Sequence, residues 1–153
     1  SAIKRRAARG NVVRRRGTRV RRGPFGEEWT PMDKHVLLVE DEVNIIEAMR
    51  FLLTRDGWKV GTHSDGATAI SAIRDARPDL VVLDYMLPGK SGIEILTELR
   101  ALPDFAELPV LMLTARGQSR DRELAERAGV NRFMTKPFSN AEVLNAVRDL
   151  VRT

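Results

Sequence analysis

Five polar residues stand where apolar runs stop, and their types suit the handling of a phosphoryl group. Glu40 and Asp41 follow the run His35 to Val39. Asp84 follows Leu80 to Leu83, and Pro88-Gly89 then turn the chain. Thr114 follows Leu108 to Leu113, and Lys136-Pro137 follow Val130 to Thr135. Carboxylates brought together repel, and at least one pKa rises unless a cation intervenes. A hard divalent cation resolves this. Mg2+ takes oxygen ligands, uses one or two carboxylates, and leaves room for a phosphate oxygen. An ammonium and a hydroxyl beside the same carboxylate complete a pocket for a phosphoryl group. Taken singly, each residue has an ordinary reading. Acids favour the start of a helix, a threonine can end a strand, and a lysine before proline can lie on the surface. The joint pattern is what carries the chemical reading.

The elements that position these residues are legible in the hydrophobic pattern. The unbroken run Leu80 to Leu83 fits a strand covered on both faces, as in a parallel sheet flanked by helices. Ile45/Ile46, Met49 and Leu52/Leu53 recur at helical spacing, and Gly57 closes that helix. Trp58 to His63 reads as a second strand, and Ala67, Ile70 and Ile73 as one face of a second helix ending before Pro78. Ile93, Leu96 and Leu99 mark a third helix stopped by Pro103. A charged helix runs from Ser119 to Ala128. Val143, Val147 and Leu150/Val151 mark a last one, capped by Ser139 or Asn140. The result is an α/β chain: five parallel strands alternating with five helices, doubly wound and flavodoxin-like. In strand order 2-1-3-4-5 the first and third strands adjoin at the switch point, where ligands bind, and Asp41 and Asp84 lie side by side there. His35 and His63 take ordinary strand positions away from that rim.

Composition bounds the rest. The chain has 153 residues, 42% hydrophobic and 31% charged, with no cysteine and no apolar run long enough to cross a membrane. No disulfide or thiolate metal site is possible, and the cytoplasm is the expected location. Ten of the 26 Lys/Arg and two of the 21 Asp/Glu fall in residues 1–31, a net charge of +8 there against −3 for the remainder. Residues 1–31 lack any sustained period and carry four glycines, so they read as a basic, disordered extension, and 32–153 as the folded domain. Nucleic acid is not an expected partner except through this tail, because interleaved aromatics are absent.

From Lys34 to Arg152 the chain resembles the receiver domain of a two-component response regulator. The motifs that carry the resemblance are Val39-Glu40-Asp41-Glu42, Leu83 to Gly89 with Ser91-Gly92, Leu113-Thr114-Ala115, and Lys136-Pro137-Phe138. The resemblance implies that Asp84 accepts a phosphoryl group from a histidine kinase or histidine phosphotransferase. It implies Mg2+ on Asp41, Asp84 and the backbone carbonyl of Met86, with Glu40 acting through water. Lys136 would pair with one phosphoryl oxygen and Thr114 with another. Phe133 occupies the family's aromatic switch position, a cis peptide joins Lys136 to Pro137, and Met86 and Arg116 would govern water access. The signal would leave through the surface of helix four, strand five and helix five, toward a downstream protein target. A monomer or a phosphorylation-dependent dimer is expected. The end at Thr153 and the sequence Asn131-Arg132-Phe133, in place of an acidic pair before the aromatic, tilt the expectation toward a stand-alone receiver. A receiver fragment of a DNA-binding regulator is the alternative. A Mg2+-dependent phosphohydrolase of the haloacid-dehalogenase type would need an aspartate where Met86 stands. A flavin-binding module would need a Gly-rich phosphate loop after the first strand.

Overall fold

The computed structural model describes residues 21–22, 28–29, 34–115 and 119–152. Along the chain run β1 (His35–Val39), α1 (Val43–Arg55), β2 (Lys59–His63), α2 (Ala69–Ala76) and β3 (Leu80–Asp84). They are followed by α3 (Gly92–Ala101), β4 (Val110–Thr114), α4 (Ser119–Ala128), β5 (Arg132–Thr135) and α5 (Asn140–Arg152). The five strands form one parallel sheet in the order β2-β1-β3-β4-β5. The topology and the alternation are those expected from the sequence.

Strand alternation divides the core in two, because successive side chains point to opposite faces. Val36, Leu38, Leu80, Val82, Leu111 and Leu113 meet Met49 and Leu53 of α1 and Val143 and Val147 of α5. Leu37, Val39, Val81, Leu83 and Met112 meet Ile73 of α2, Leu96 and Leu99 of α3 and Ala125 of α4. Every residue of β3 and β4 is buried, which is why both read as continuous apolar runs. Burying each such leucine contributes about 1.5–3 kcal/mol.

Two helices start with the same reciprocal cap. The Ser91 hydroxyl accepts the Glu94 N–H at 3.2 Å, and the Glu94 carboxylate accepts the Ser91 N–H at 3.0 Å. Ser139 and Glu142 repeat the device at 3.1 and 3.0 Å, which identifies Ser139, not Asn140, as the cap of α5. Asp56, just beyond α1, is buried. It accepts hydrogen bonds from the Trp58 indole at 3.1 Å and the Arg148 Nε at 3.2 Å, and its second oxygen pairs with Arg148 Nη2. This network ties the end of α1 to α5.

The structure corrects several details. Ala67 lies in a short 3-10 turn, Gly66–Thr68, and is exposed; Ala69 and Ile73 are the buried residues of α2. That helix ends because Arg77 adopts the left-handed conformation at φ 45°, one residue before Pro78. Trp58 is a buried core residue ahead of β2, and β4 and β5 begin at Val110 and Arg132. His63 closes β2 at the carboxyl rim, where its carbonyl accepts the Glu40 N–H at 2.9 Å, while its ring turns to Thr68 at 2.7 Å. The expectation for residues 1–31 falls largely outside the described residues. Within that segment Arg21–Arg22 pair antiparallel with Glu28–Trp29.

Candidate active site

Parallel pairing carries the strand ends to one rim. Val39 lies opposite Leu83 in the β1–β3 ladder, so Glu40 and Asp84, the next residues along, arrive together where the strand order reverses. Glu40, Asp41 and Asp84 each offer a carboxylate oxygen, all within 4.8 Å of one another. Glu40 and Asp84 are buried and Asp41 is exposed. Glu40 Oε2 accepts the N–H groups of Asp41 at 3.0 Å and Glu42 at 3.1 Å. Its other oxygen, Oε1, is buried and, among the described residues, has no well-aligned hydrogen-bond donor.

Lys136 reaches this cluster from β5. Its main-chain N–H donates to the Thr114 carbonyl at 2.7 Å, which joins the ends of β4 and β5. Its ammonium stands 2.8 Å from Glu42 Oε1, 3.1 Å from Glu40 Oε1 and 3.5 Å from Asp84 Oδ1. The Lys136–Pro137 peptide is cis, as expected. Burial works against the lysine charge, but Glu42, Asp84 and Glu40 together outweigh it, and its pKa lies above the ordinary value.

Asp84 is perturbed more strongly. Burial first, then a hydrogen bond and charge repulsion from Glu40, push its pKa up to about 7, against the opposing pull of Lys136 and the Met86 N–H. That N–H lies 3.4 Å from Asp84 Oδ1, so the main chain of residue 86 runs beside the carboxylate while its side chain faces solvent. Crowded oxygen donors, two of them buried, and a raised carboxyl pKa are what a hard cation would relieve. The donor set therefore fits a divalent ion such as Mg2+.

Thr114 is buried at the end of β4, one residue beyond the Asp84–Leu113 pairing. Phe133 is half-buried against the α2–α4 side of the core, and the Arg122 guanidinium lies 5.1 Å from its ring centre. Arg116, which the sequence places near the mouth of the site, lies outside the described residues.

Three contributors were not singled out by sequence reasoning. Glu42 reads there only as one more acid after β1, yet it makes the shortest contact to Lys136. Tyr85 follows the central aspartate, and its hydroxyl donates to Asp121 on α4 at 3.2 Å. No spacing rule announces a contact 36 residues apart. Gly92 belongs to a recognised motif but without an assigned role. Its N–H donates to the Tyr85 carbonyl at 2.9 Å, and a Cβ there would come within 2.5 Å of the Asp84 carbonyl oxygen. Gly92→Ala should therefore displace the β3–α3 loop and cost about 1–3 kcal/mol of stability, measured by urea unfolding. An unchanged midpoint would show that the loop yields without cost.

Comparison with known proteins identifies the family and the fold. Residues 36–148 match the family model of the response regulator receiver domain. The chain is 44% identical over 117 residues to TcrX of Mycobacterium tuberculosis, described as a probable transcriptional regulatory protein, covering 76% of this chain and 49% of that one. The chain spans about half the length of the curated relatives it matches. Among solved structures it is similar to the receiver domain of a sensor histidine kinase from Pseudomonas aeruginosa that holds a magnesium ion in its active-site cleft. That pair has TM-score 0.73 and 29% identity, with 78% and 98% of the two chains covered. It is also similar to the beryllofluoride-activated receiver domain of RstA from Klebsiella pneumoniae, with TM-score 0.72, 26% identity and coverage of 78% and 100%.

Proposed function

Since the chain belongs to the response regulator receiver family of two-component systems, we propose that Asp84 is its phosphoacceptor and Lys136 the cation that receives the incoming charge. The observation that carries this reading is a buried carboxylate with an ammonium 3.5 Å away and two further acids in the same cluster. Glu40, Asp41, Asp84 and the Met86 carbonyl would hold Mg2+, with Glu40 acting through water. When bound, the ion supplies charge neutralisation for phosphoryl transfer.

In this reading an Asp84 oxygen attacks the phosphorus of a phosphohistidine. The oxygen–phosphorus bond forms as the phosphorus–nitrogen bond breaks, and the imidazole leaves. Such a transfer needs positioning and charge neutralisation more than covalent help from the protein. Lys136 turns to one phosphoryl oxygen and the Thr114 hydroxyl donates to another. Phe133 follows into the space vacated, which changes the α4–β5–α5 surface offered to a downstream partner. The donor would be a histidine kinase or phosphotransferase, met in the cytoplasm. Residues 1–31 would be an extension outside the receiver unit, with any contact to nucleic acid confined to them. The oligomer would be a monomer or a dimer formed on phosphorylation.

A second reading, that the chain is the receiver portion of a DNA-binding regulator, is favoured by relatives that carry transcriptional regulatory names and are matched over about half of their length. Asn131 does not argue against it. Its side-chain oxygen accepts the Val110 N–H and Arg100 Nη2, each at 2.8 Å, and an aspartate would satisfy the same donors. The preference for a stand-alone receiver then rests on Arg132, which pairs with Asp149 of α5 at 3.6 Å.

Radiolabelled acetyl phosphate tests the assignment. With Mg2+ the protein should take up alkali-labile label. Lys136→Ala should take it up more slowly, and Asp84→Asn not at all. Label on Asp84→Asn would remove the residue from its role.

A further inference from the structure

We propose that Glu42 is a positioning residue that draws the Lys136 ammonium toward the solvent edge of the acid cluster until a phosphoryl group arrives, an inference that rests on the reading of Asp84 as phosphoacceptor. Three carboxylate oxygens lie within 3.5 Å of that ammonium, and the shortest contact, at 2.8 Å, goes to the residue least suited to a buried lysine. The Glu42 side chain is 57% exposed, against 11% for Lys136 and 0% for Glu40. Glu42 also lies outside the trio whose oxygens converge.

The backbone explains why Glu42 is available for this. It is the N-cap residue of α1, yet its carboxylate makes no capping bond, unlike Ser91 at the start of α3 and Ser139 at the start of α5. Its main chain is fixed, because its N–H donates to Glu40 Oε2 and its carbonyl accepts the Ile46 N–H at 3.0 Å. The side chain therefore leaves from a defined point and spends its one strong interaction on a lysine 94 residues away.

Two consequences follow from the charges. An ammonium has three protons to place. Released from Glu42, it settles more closely on Glu40 Oε1 and Asp84 Oδ1, which already lie 3.1 and 3.5 Å from it. A cation settled there competes with a divalent ion for the same oxygens. When Asp84 gains a phosphoryl group, the new negative charge draws Lys136 inward. Glu42, being exposed, exchanges its ion pair for water at small cost. Glu42 thus favours metal binding in the resting state and competes with the phosphoryl group for Lys136 in the modified one.

Glu42→Asp separates position from charge, since it keeps the carboxylate and shortens the reach by one methylene. Mg2+ affinity is read by chemical-shift titration, and the initial labelling rate with acetyl phosphate at saturating Mg2+. Glu42→Asp and Glu42→Gln should each bind Mg2+ about two- to fivefold more weakly and label about two- to fivefold faster, the range carried by a partly exposed ion pair. In a Lys136→Met background Glu42→Asp should leave Mg2+ affinity unchanged. Wild-type behaviour of Glu42→Asp in either measurement overturns the proposal, as does an effect on Mg2+ that persists without Lys136. Failure of the phosphoacceptor reading appears separately, as absence of label on the unmodified protein, and the Mg2+ titrations then judge Glu42 alone.

Discussion

Replacing Asp84 by asparagine should make the Mg2+-free domain more stable by about 2–4 kcal/mol at pH 8, while ending its capacity to take label. Asp84 runs opposite to a typical stabilising carboxylate. Burial and its neighbour Glu40 raise its pKa from 3.8 to about 7 in the folded state. The folded protein thus holds a proton that the unfolded chain has already released between those values. Stability contributed by this group is lost as pH rises from about 4 to about 7, and the full cost stands above that. Asparagine has the same shape and no charge, so it removes the cost. The difference between the two proteins in urea unfolding should vanish near pH 4, open through pH 6, and level off above pH 7. A difference that does not vary with pH would mean that Asp84 ionises freely in the fold. Adding Mg2+ should narrow the gap at pH 8, because a ligand of the native state stabilises the protein that binds it.

Asp56→Ala should cost about 3–5 kcal/mol, among the largest losses available to a single substitution in this fold. Asp56 and Arg148 are both largely withdrawn from water. Their mutual attraction offsets desolvation only while both are present. Alanine removes the buried acid that faces both the Arg148 guanidinium and the Trp58 indole. Arg148→Met together with Asp56→Leu removes both charges, and this pair should recover most of the loss. A loss below about 1 kcal/mol for Asp56→Ala would show that water reaches the pair. Near-ultraviolet circular dichroism of Trp58 reports on the same contact.

The sheet and its rim were legible in the sequence for a physical reason. Strands buried on both faces must be apolar throughout, so a polar residue that ends one stands out. Asp84 after Leu80 to Leu83 and Thr114 after Leu108 to Leu113 are visible without a structure. Lys136 is visible because proline follows it. The cis peptide came with the family resemblance and the strand order with the doubly wound pattern, and both agree with the structure. The partners of these residues were not legible. Glu42 meets Lys136, and Asp56 meets Arg148, because helices of fixed length return the chain to the same rim or edge. No periodicity encodes which of several nearby acids takes the bond. Ala67 departs from the helical face of α2 for a local reason. The 3-10 turn before α2 mimics the start of the helical repeat, and only its hydrogen bonding separates the two. Strand direction sends His35 to one end of the sheet and His63 to the other, a difference that residue type and spacing do not carry.

The two serine–glutamate caps have a consequence for motion. One lies seven residues after Asp84 and the other three residues after Lys136. Each site loop is therefore short and ends on a helix whose first turn is bonded shut. Rearrangement around the acid cluster has little slack to absorb it. A displacement of either loop is passed on as a shift of a whole helix, so a small change at one carboxylate reaches the protein surface as a rigid-body movement.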